Sequence, residues 1–330
     1  SVTYHRVMLD SYALAEAWRR HRGLPEFSQV LRARLAAAAT WLYAMTDSAS
    51  GDAPNIGAND GARLIPLIDS DYRDFRPSVQ LALALFHGQR GFDRGAWDAA
   101  LGWLEVDLPE ARVETPVRSF DDGGYHALRQ GDTLAVLRYP RFRFRPSQAD
   151  ALHLDLWHAG CNLLRDAGTY SYNAEEAEWF GSTAAHNTVE FDGRNQMPRL
   201  GRFLFGDWLT AEAVQEVQAA EGGLTAAAGY KDRHGARHHR HVALDAGQLT
   251  VTDRIGGRFR QACLRWRLAP GAYAIDGLHV SGSGLSLWIE AEDVTPRLAL
   301  QRAPESRYYQ HKADIPVLEV MLDAPAIVIT

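Results

Sequence analysis

Lysine is almost absent from this sequence. Only Lys231 and Lys312 are lysines among the 35 basic residues, so the other 33 are arginines. The formal net charge is −6 at pH 7, and this acidic balance argues against a general affinity for nucleic acid. The planar guanidinium group suits carboxylates and sulfates better than an ammonium does. We attribute most of the arginines to a genomic preference for arginine codons.

Cysteines and long apolar runs are also scarce. The two cysteines, Cys161 and Cys263, allow at most one disulfide, and neither belongs to a CxxC pair. This argues against a cysteine-based zinc or redox site, and it fits both a reducing and an oxidising compartment. No run approaches the roughly 18 apolar residues that a membrane span requires. The chain begins at Ser1 rather than at methionine.

Hydrophobic spacing predicts helices in the first hundred residues. Apolar side chains recur at helical intervals over 4–18 and again over 25–45, with Gly23 and Pro25 between them. Two such helices joined by a short turn form an αα-hairpin. Two shorter helices are predicted over 77–87 and 93–104. A loop of 17 residues, DSASGDAPNIGANDGAR, separates the two pairs, and loops of this length are often functional.

After about residue 117 the apolar residues alternate with a period of two, which predicts strands. Examples are TLAVLRYPRFRFR, LTVTDRI, ACLRWRL, LSLWIEAE and PVLEVMLDAPAIVI. Many such runs predict an unusually large antiparallel β-sandwich. We therefore expect an α+β chain with helices over 1–105, a linker over 106–116 and a sandwich over 117–330.

Four motifs follow one another along the chain. They are the segment with Ser1, Tyr4, His5 and Arg6, the PNIGANDG loop, the DAGTYSY element and the HNTVEFDG element. In this order they resemble the heparinase II/III-like polysaccharide lyases, and the likeness runs from Ser1 to about Trp208. The resemblance implies the last helices of an (α/α) toroid followed by a β-sandwich. It also implies that the first half of the toroid precedes Ser1 in the full-length protein.

Members of this family typically degrade acidic polysaccharides by β-elimination. A proton leaves the carbon beside the uronate carboxylate, so a neutralising group must stabilise the anion that forms. The resemblance places Tyr4 at the position of the proton-transferring tyrosine, in a cleft between toroid and sandwich. The alternative for Tyr4 is a packed aromatic residue. The family's neutralising asparagine or histidine lies on an earlier helix, which this chain does not include.

The resemblance also implies a metal site in the sandwich. Its ligands would be the second histidine of an HxH pair, the aspartate of DxG and the histidine of HN. Asp166 and His186 match the last two, but the HxH positions fall on Pro146 and Gln148. An amide is a poor zinc ligand. We therefore expect Gln148, Asp166 and His186 to converge on a site that binds zinc weakly or not at all. The alternative is a hydrogen bond between Asp166 and His186.

Further residues are candidates for contacts with the glycan. The alternation of arginines predicts a strand with three guanidinium groups on one face, although a solvated outer face is equally consistent. Two loop residues can also shape their own turn through Asx hydrogen bonds. Two tyrosines could stack on sugar rings or pack in the core. The arginines are Arg141, Arg143 and Arg145, the loop residues are Asn59 and Asp60, and the tyrosines are Tyr170 and Tyr172.

The function that we predict is a lyase acting on an acidic, uronate-containing glycan. One alternative is a glycoside hydrolase, which needs only two carboxylates, and Asp60, Asp150, Asp166 and several glutamates are candidates for them. Another is a non-catalytic glycan-binding protein of exopolysaccharide production. The substrate class slightly favours a periplasmic or extracellular location.

Overall fold

The computed structural model describes residues 1–64, 66–220 and 222–330. The chain divides into two compact units, Ser1–Val117 and Arg118–Thr330. Long helices occur in the first unit, and antiparallel strands dominate the second. Within the described residues, no helix combines the length and the apolar character that crossing a membrane requires.

The described part of the first unit contains four α-helices and a short 3-10 helix, Ala96–Asp98. Ser1 caps the first, because its Oγ accepts a hydrogen bond from the amide of Tyr4. Ser28 caps the second in the same way through the amide of Leu31, so this helix begins four residues later than the spacing predicted. The helices are α1 (Val2–His21), α2 (Gln29–Met45), α3 (Arg76–Phe86) and α4 (Ala99–Trp103), and a single turn, α5 (Ala177–Phe180), lies in the second unit.

Helix α1 turns its large aromatic side chains outward. Tyr4, Tyr12 and Trp18, which carry the helical spacing in the sequence, are 40%, 38% and 60% exposed. The face that packs on α2 and α3 carries smaller apolar residues, including Leu9 and Ala13. The helical spacing therefore predicted the helix correctly, but the residues that carry this spacing are not the ones that the helix buries within this unit.

Twenty strands lie in the described part of the second unit, and every pairing between them is antiparallel. One continuous apolar core lies among the four larger sheets. The strands are β1 (Arg118–Phe120), β2 (Tyr125–Gln130), β3 (Thr133–Arg138), β4 (Leu154–His158), β5 (Cys161–Leu164), β6 (Val189–Phe191), β7 (Arg199–Gly201), β8 (Leu204–Phe205), β9 (Ala211–Ala220), β10 (Gly223–Lys231), β11 (Ala236–Asp245), β12 (Gln248–Gly257), β13 (Ala262–Arg267), β14 (Tyr273–Asp276), β15 (His279–Gly282), β16 (Leu285–Trp288), β17 (Glu290–Ala291), β18 (Arg297–Glu305), β19 (Ala313–Leu322) and β20 (Ala326–Ile329).

The strands form five sheets. Strands β1 to β5 follow one another in a five-stranded meander, and the largest sheet has the order β17-β20-β12-β11-β10-β9. A four-stranded sheet has the order β18-β19-β13-β6, while β14 to β16 and β7 to β8 form two small sheets. The DAGTYSY element follows β5, and the HNTVEFDG element contains β6. The first motif therefore lies in a connection, and the second includes a strand of the four-stranded sheet.

The prediction of one strand face presenting Arg141, Arg143 and Arg145 is wrong. Strand β3 ends at Arg138, and Arg141 forms only an isolated bridge beyond it. The physical reason is Pro140, which has no N–H to donate to a neighbouring strand.

A fully buried ion pair joins two neighbouring strands of the largest sheet. Arg240 on β11 donates from Nε and Nη2 to the two carboxylate oxygens of Asp253 on β12, at 2.7 and 3.0 Å. Its Nη1 donates to the main-chain carbonyls of Leu152 and Asn187, each at 2.6 Å. Burial alone would raise the pKa of Asp253, but the Arg240 charge and a hydrogen bond from His238 lower this pKa to about 2. Asp253 is therefore ionised at neutral pH.

Replacing this arginine should destabilise the protein strongly. Arg240→Met keeps most of the apolar stem but leaves the Asp253 carboxylate buried without its cation, which costs on the order of 3–5 kcal/mol. Urea unfolding followed by circular dichroism measures this loss.

Arg237→Met is the matched control, because Arg237 lies on the same strand but is exposed. It should change the free energy of unfolding by less than about 0.5 kcal/mol. Equal losses in the two variants would contradict a special role for the buried pair.

Candidate functional site

Tyr4 lies in the first turn of α1, and its side chain is accessible. Its hydroxyl donates to Oδ2 of Asp60 at 2.5 Å. The other carboxylate oxygen, Oδ1, accepts a hydrogen bond from the amide of Ala62 at 3.1 Å, which fixes the orientation of the carboxylate. The structure therefore brings together two candidate residues that stand 56 positions apart in the sequence.

The PNIGANDG loop is fastened to the start of α1. The hydroxyl of Ser1 donates to the carbonyl of Ala58 at 2.6 Å, and the amide of Val2 donates to the carbonyl of Ile56 at 3.3 Å. Gly57 has a φ of +83°, and a Cβ atom there would lie 2.7 Å from Cα of Ser1. Only glycine allows this approach without strain, and the approach sets Asp60 beside Tyr4.

A buried arginine holds the earlier part of the same loop. Arg73 is 4% exposed, and its Nε donates to Oδ1 of Asp52 at 2.8 Å. Its Nη1 donates to Oδ1 of Asn55 at 3.0 Å, and its Nη2 donates to the carbonyl of Ala53. One guanidinium group thus binds three positions of a loop that has no regular secondary structure.

Asn59 shapes the loop, as its position in an Asx-type sequence predicted. Its Oδ1 accepts hydrogen bonds from the amide of Gly61 at 2.9 Å and from the hydroxyl of Tyr72 at 2.8 Å. The Asn59 residue is only 4% exposed. The Asx interpretation is confirmed for Asn59 and for Asp60, and their contact with a substrate stays a prediction.

The remaining motif residues of α1 are packed inside the helical unit. Arg6 is 1% exposed, and its guanidinium carbon lies 4.5 Å from the ring centre of Tyr72 and 4.4 Å from that of Phe75. His5 packs on Trp41, and burial lowers the pKa of His5 to about 4. His5 is therefore neutral at physiological pH. Tyr4 is the residue of this motif with an accessible ionisable side chain, since Ser1 does not titrate.

A second cluster, in the β-unit, is buried. Asp166 and His186 are 1% and 0% exposed, with Oδ2 of the first 3.4 Å from Nε2 of the second. Nδ1 of His186 lies 2.7 Å from the carbonyl oxygen of Ser182. A carbonyl can only accept, so Nδ1 carries the proton and Nε2 presents a lone pair towards Asp166. Oδ2 of Asp166 and Nε2 of His186 could therefore both serve as metal ligands.

His153 enters the same cluster but in a different state. Its Nε2 lies 3.7 Å from Oδ2 of Asp166 and 3.6 Å from Oδ2 of Asp155. The amide of Asn187 donates to its Nδ1 at 3.0 Å. Because Nδ1 accepts, the proton of the neutral ring is on Nε2, which is then a donor and not a ligand. The sequence analysis did not include His153 among its site residues, and only its position two residues before Asp155 hinted at it.

Gln148 does not supply the missing ligand. It is 3% exposed, and its Nε2 donates to the carbonyl of Gly168 at 3.3 Å, in the same turn that Asp166 closes by accepting the Gly168 amide at 2.7 Å. Across the described residues, no three His, Cys, Asp or Glu side chains form a group able to hold a metal ion. Asp166 and His186 fit two zinc ligands, and the residues present do not fit a complete zinc site.

Burial shifts both members of the Asp166–His186 pair towards their neutral forms. Desolvation raises the pKa of Asp166, and it lowers the pKa of His186, although each partially stabilises the charged form of the other. A proton on Oδ2 of Asp166 would face the lone pair on Nε2 of His186. This is the hydrogen-bonding alternative to a metal that the sequence left open.

The Asn187 side chain explains why asparagine follows His186. Its Nδ2 donates to the carbonyls of Leu154 and Arg165, and its Oδ1 accepts the amide of Arg267 at 2.6 Å. One side chain therefore ties together the chain segments that carry His153, Asp166 and His186. Its role is structural.

The other glycan-contact candidates are not brought together at either cluster. Arg141 and Arg143 donate to Asp121 and Asp122, and Nη1 of Arg145 lies 3.4 Å from the carbonyl of Phe203. Tyr170 packs on Phe180 and under the Lys312 ammonium group, while Tyr172 packs edge-on against Phe203 and Tyr309. Their contact with a glycan stays a prediction.

Restoring the absent imidazole should create a zinc site. We expect Gln148→His to raise zinc content, because it would add a third donor to Asp166 and His186 and leave one position open. Metal analysis of wild type and variant, purified identically, measures the change. Gln196→His is the control, since Gln196 is equally buried but hydrogen-bonds Ala151 and Tyr230. Stoichiometric zinc in the wild type, or no gain in Gln148→His, would contradict this prediction.

Comparison with solved structures identifies the fold. A heparinase III structure superposes with a TM-score of 0.75 at 15% identity, over 100% of this chain and 50% of that chain. The heparan sulfate lyase HepC from Pedobacter heparinus superposes with a TM-score of 0.71 at 18% identity, over 100% of this chain and 51% of that chain. This chain thus spans about half the length of these structures. At these identities the likeness shows the fold alone.

The sequence comparisons agree with the fold. No curated protein matches the chain. The profile of the family described as heparinase II/III-like, C-terminal, matches residues 112–313, which is more than half of the sequence. The chain belongs to the heparinase II/III-like family.

Proposed function

We propose that the protein is a polysaccharide lyase that cleaves an acidic, uronate-containing glycan by β-elimination. The family to which it belongs supports this class of reaction. The observation that carries the proposal is the 2.5 Å hydrogen bond between the accessible Tyr4 hydroxyl and the Asp60 carboxylate.

Tyr4 and Asp60 form a proton-transfer pair in this proposal. The carbon beside the uronate carboxylate is a weak acid, so its proton must pass to a positioned acceptor. The Tyr4 oxygen accepts that proton while its own proton passes to Asp60. Tyr4 then donates a proton to the glycosidic oxygen as the carbon–oxygen bond breaks and the carbon–carbon double bond forms. The cycle ends when Asp60 has returned its proton.

The uronate carboxylate needs a neutralising group in addition to this pair. Arg73 is a buried cation that is engaged in holding the loop, and Arg6 is a buried cation whose Nη1 donates to the carbonyl of Tyr72. Because the chain spans about half the length of its solved relatives, we propose that the neutralising side chain lies in the other half of the full-length protein.

The hydrolase alternative is less well supported. It requires two carboxylates that flank the scissile bond, one of them reached by water. Asp150 and Asp166 are each 1% exposed, and Asp150 pairs with Arg138 at 2.5 Å. Of the three aspartates that suggested a hydrolase, only Asp60 is accessible, and it is bonded to Tyr4.

Removing the Tyr4 hydroxyl should abolish most of the activity. Tyr4→Phe keeps the ring and deletes the proton carrier, so we expect kcat to fall by about 10²- to 10⁴-fold. The assay is the ultraviolet absorbance of the unsaturated uronate released by the full-length protein from uronate-containing polysaccharides, heparan sulfate among them.

Tyr12→Phe is the matched control, because Tyr12 is equally exposed on the same helix. It should keep wild-type activity. New reducing ends without ultraviolet absorbance would favour the hydrolase, and full activity in Tyr4→Phe would remove Tyr4 from the mechanism.

The carboxylate of Asp60 should be needed for activity even when the loop keeps its conformation. Asp60→Asn keeps an oxygen for the Ala62 amide but cannot take up a proton from Tyr4. We expect kcat to fall at least about tenfold with little change in KM. Asp69→Asn, at an exposed position of the same unit, is the control. An equal fall for both variants, or a change confined to KM, would contradict the proton-transfer pair.

A further inference from the structure

The β-unit contains a large cavity that none of the four motifs lines. Its volume is about 620 Å³, within the range of small-molecule sites. Its walls come from β3, β4, β5, β12, β13, β16, β17 and the end of β20, so four different sheets meet around it. None of its lining residues belongs to the Asp166–His186 cluster or to the Tyr4–Asp60 pair.

A fixed, exposed indole stands at this cavity. Trp288 is 65% exposed, and its ring stacks on His279 with ring centres 4.0 Å apart and planes inclined by 14°. His279 is itself held by Ser286, with Nε2 and Oγ 2.7 Å apart. An aromatic ring that is immobilised on one face and open elsewhere is a ready platform for an apolar ligand surface, because little further conformational entropy is lost on binding.

The cavity also offers accessible polar side chains. Gln248 and Ser286 line it, and both residues are exposed. The Gln248 amide and the Ser286 hydroxyl can each donate and accept hydrogen bonds. These groups suit the hydroxyl groups of a ligand.

The charge of the lining restricts the ligand. Glu290 is the lining residue with a full charge, and His158 is engaged with Thr133 at 2.8 Å. No arginine or lysine among the described residues lines the cavity, although the chain has 33 arginines. A carboxylate or sulfate would therefore meet an acidic group and no cation, which disfavours an anionic ligand.

We propose that this cavity is a binding site for uncharged pyranose units of a glycan. A pyranose ring has an apolar face of C–H groups, which would stack on Trp288, and a rim of hydroxyl groups, which would reach Gln248 and Ser286. The site does not depend on the lyase reaction.

The test is binding of neutral tetrasaccharides to the full chain by calorimetry and saturation-transfer NMR. The probes are β-1,4- and α-1,4-linked glucose, β-1,4-linked mannose and β-1,4-linked N-acetylglucosamine, with tetragalacturonate as the acidic match. We expect at least one neutral probe to bind saturably. Trp288→Ala should weaken that binding by about tenfold, and Trp288→Phe should restore most of it.

Trp103→Ala is the matched control, because Trp103 is 71% exposed in the helical unit and does not line the cavity. It should bind like the wild type, and all variants should melt at the wild-type temperature. The proposal is overturned if no neutral probe binds, if Trp288→Ala binds unchanged, if Trp103→Ala loses binding equally, or if tetragalacturonate binds as well as the neutral probes.

Discussion

The buried guanidinium of Arg240 is the constraint on which the β-unit depends. It is satisfied by Asp253 within the sheet and by two carbonyls outside it, those of Leu152 and Asn187. Those carbonyls immediately flank His153 and His186. A buried charge without its partners is very costly, so the sheet can keep Arg240 only if the segments that carry Leu152 and Asn187 stay where they are. Because Arg240 needs all of these contacts, the folded sheet fixes the positions of His153 and His186.

The DAGTYSY and HNTVEFDG motifs consequently have more than one physical role. Asp166 and His186 present unpartnered acceptor atoms to each other, whereas Asn187 closes the backbone around them. Gly168 completes the turn with a φ of +79°. A chain can keep this whole arrangement after losing a metal ligand, because the turn, the asparagine and the buried arginine do not need the metal. This is consistent with glutamine at position 148, and it explains why the motif by itself did not settle whether zinc binds.

The sequence predicted what depends on local periodicity and local hydrogen bonding. Strands β12, β13 and β19 follow the period of two, and the Asx hydrogen bonds of Asn59 and Asp60 follow from side chains that reach their own backbone. Contacts between distant segments were not accessible. No pattern in the sequence indicates that Asp60 meets the Tyr4 hydroxyl, because the approach depends on Gly57 allowing the loop against α1. The strand predicted beyond Arg138 failed for a local reason that was visible, the proline at 140.

The number of arginines in the sequence does not measure the positive charge on the accessible surface, because several arginines are buried. Arg6, Arg73 and Arg240 each donate to main-chain carbonyls, of Tyr72, Ala53 and Leu152 respectively. A lysine has one nitrogen at the end of its chain and could not reach a carboxylate and a carbonyl in opposite directions, whereas the five N–H groups of a guanidinium can. Arg73 and Arg240 each bind a carboxylate and a carbonyl in this way, so arginine is required by geometry at these two positions, whatever the codon preference of the genome. Such residues add nothing to the accessible positive surface, so the arginine content overstates the capacity of this chain to bind a polyanion.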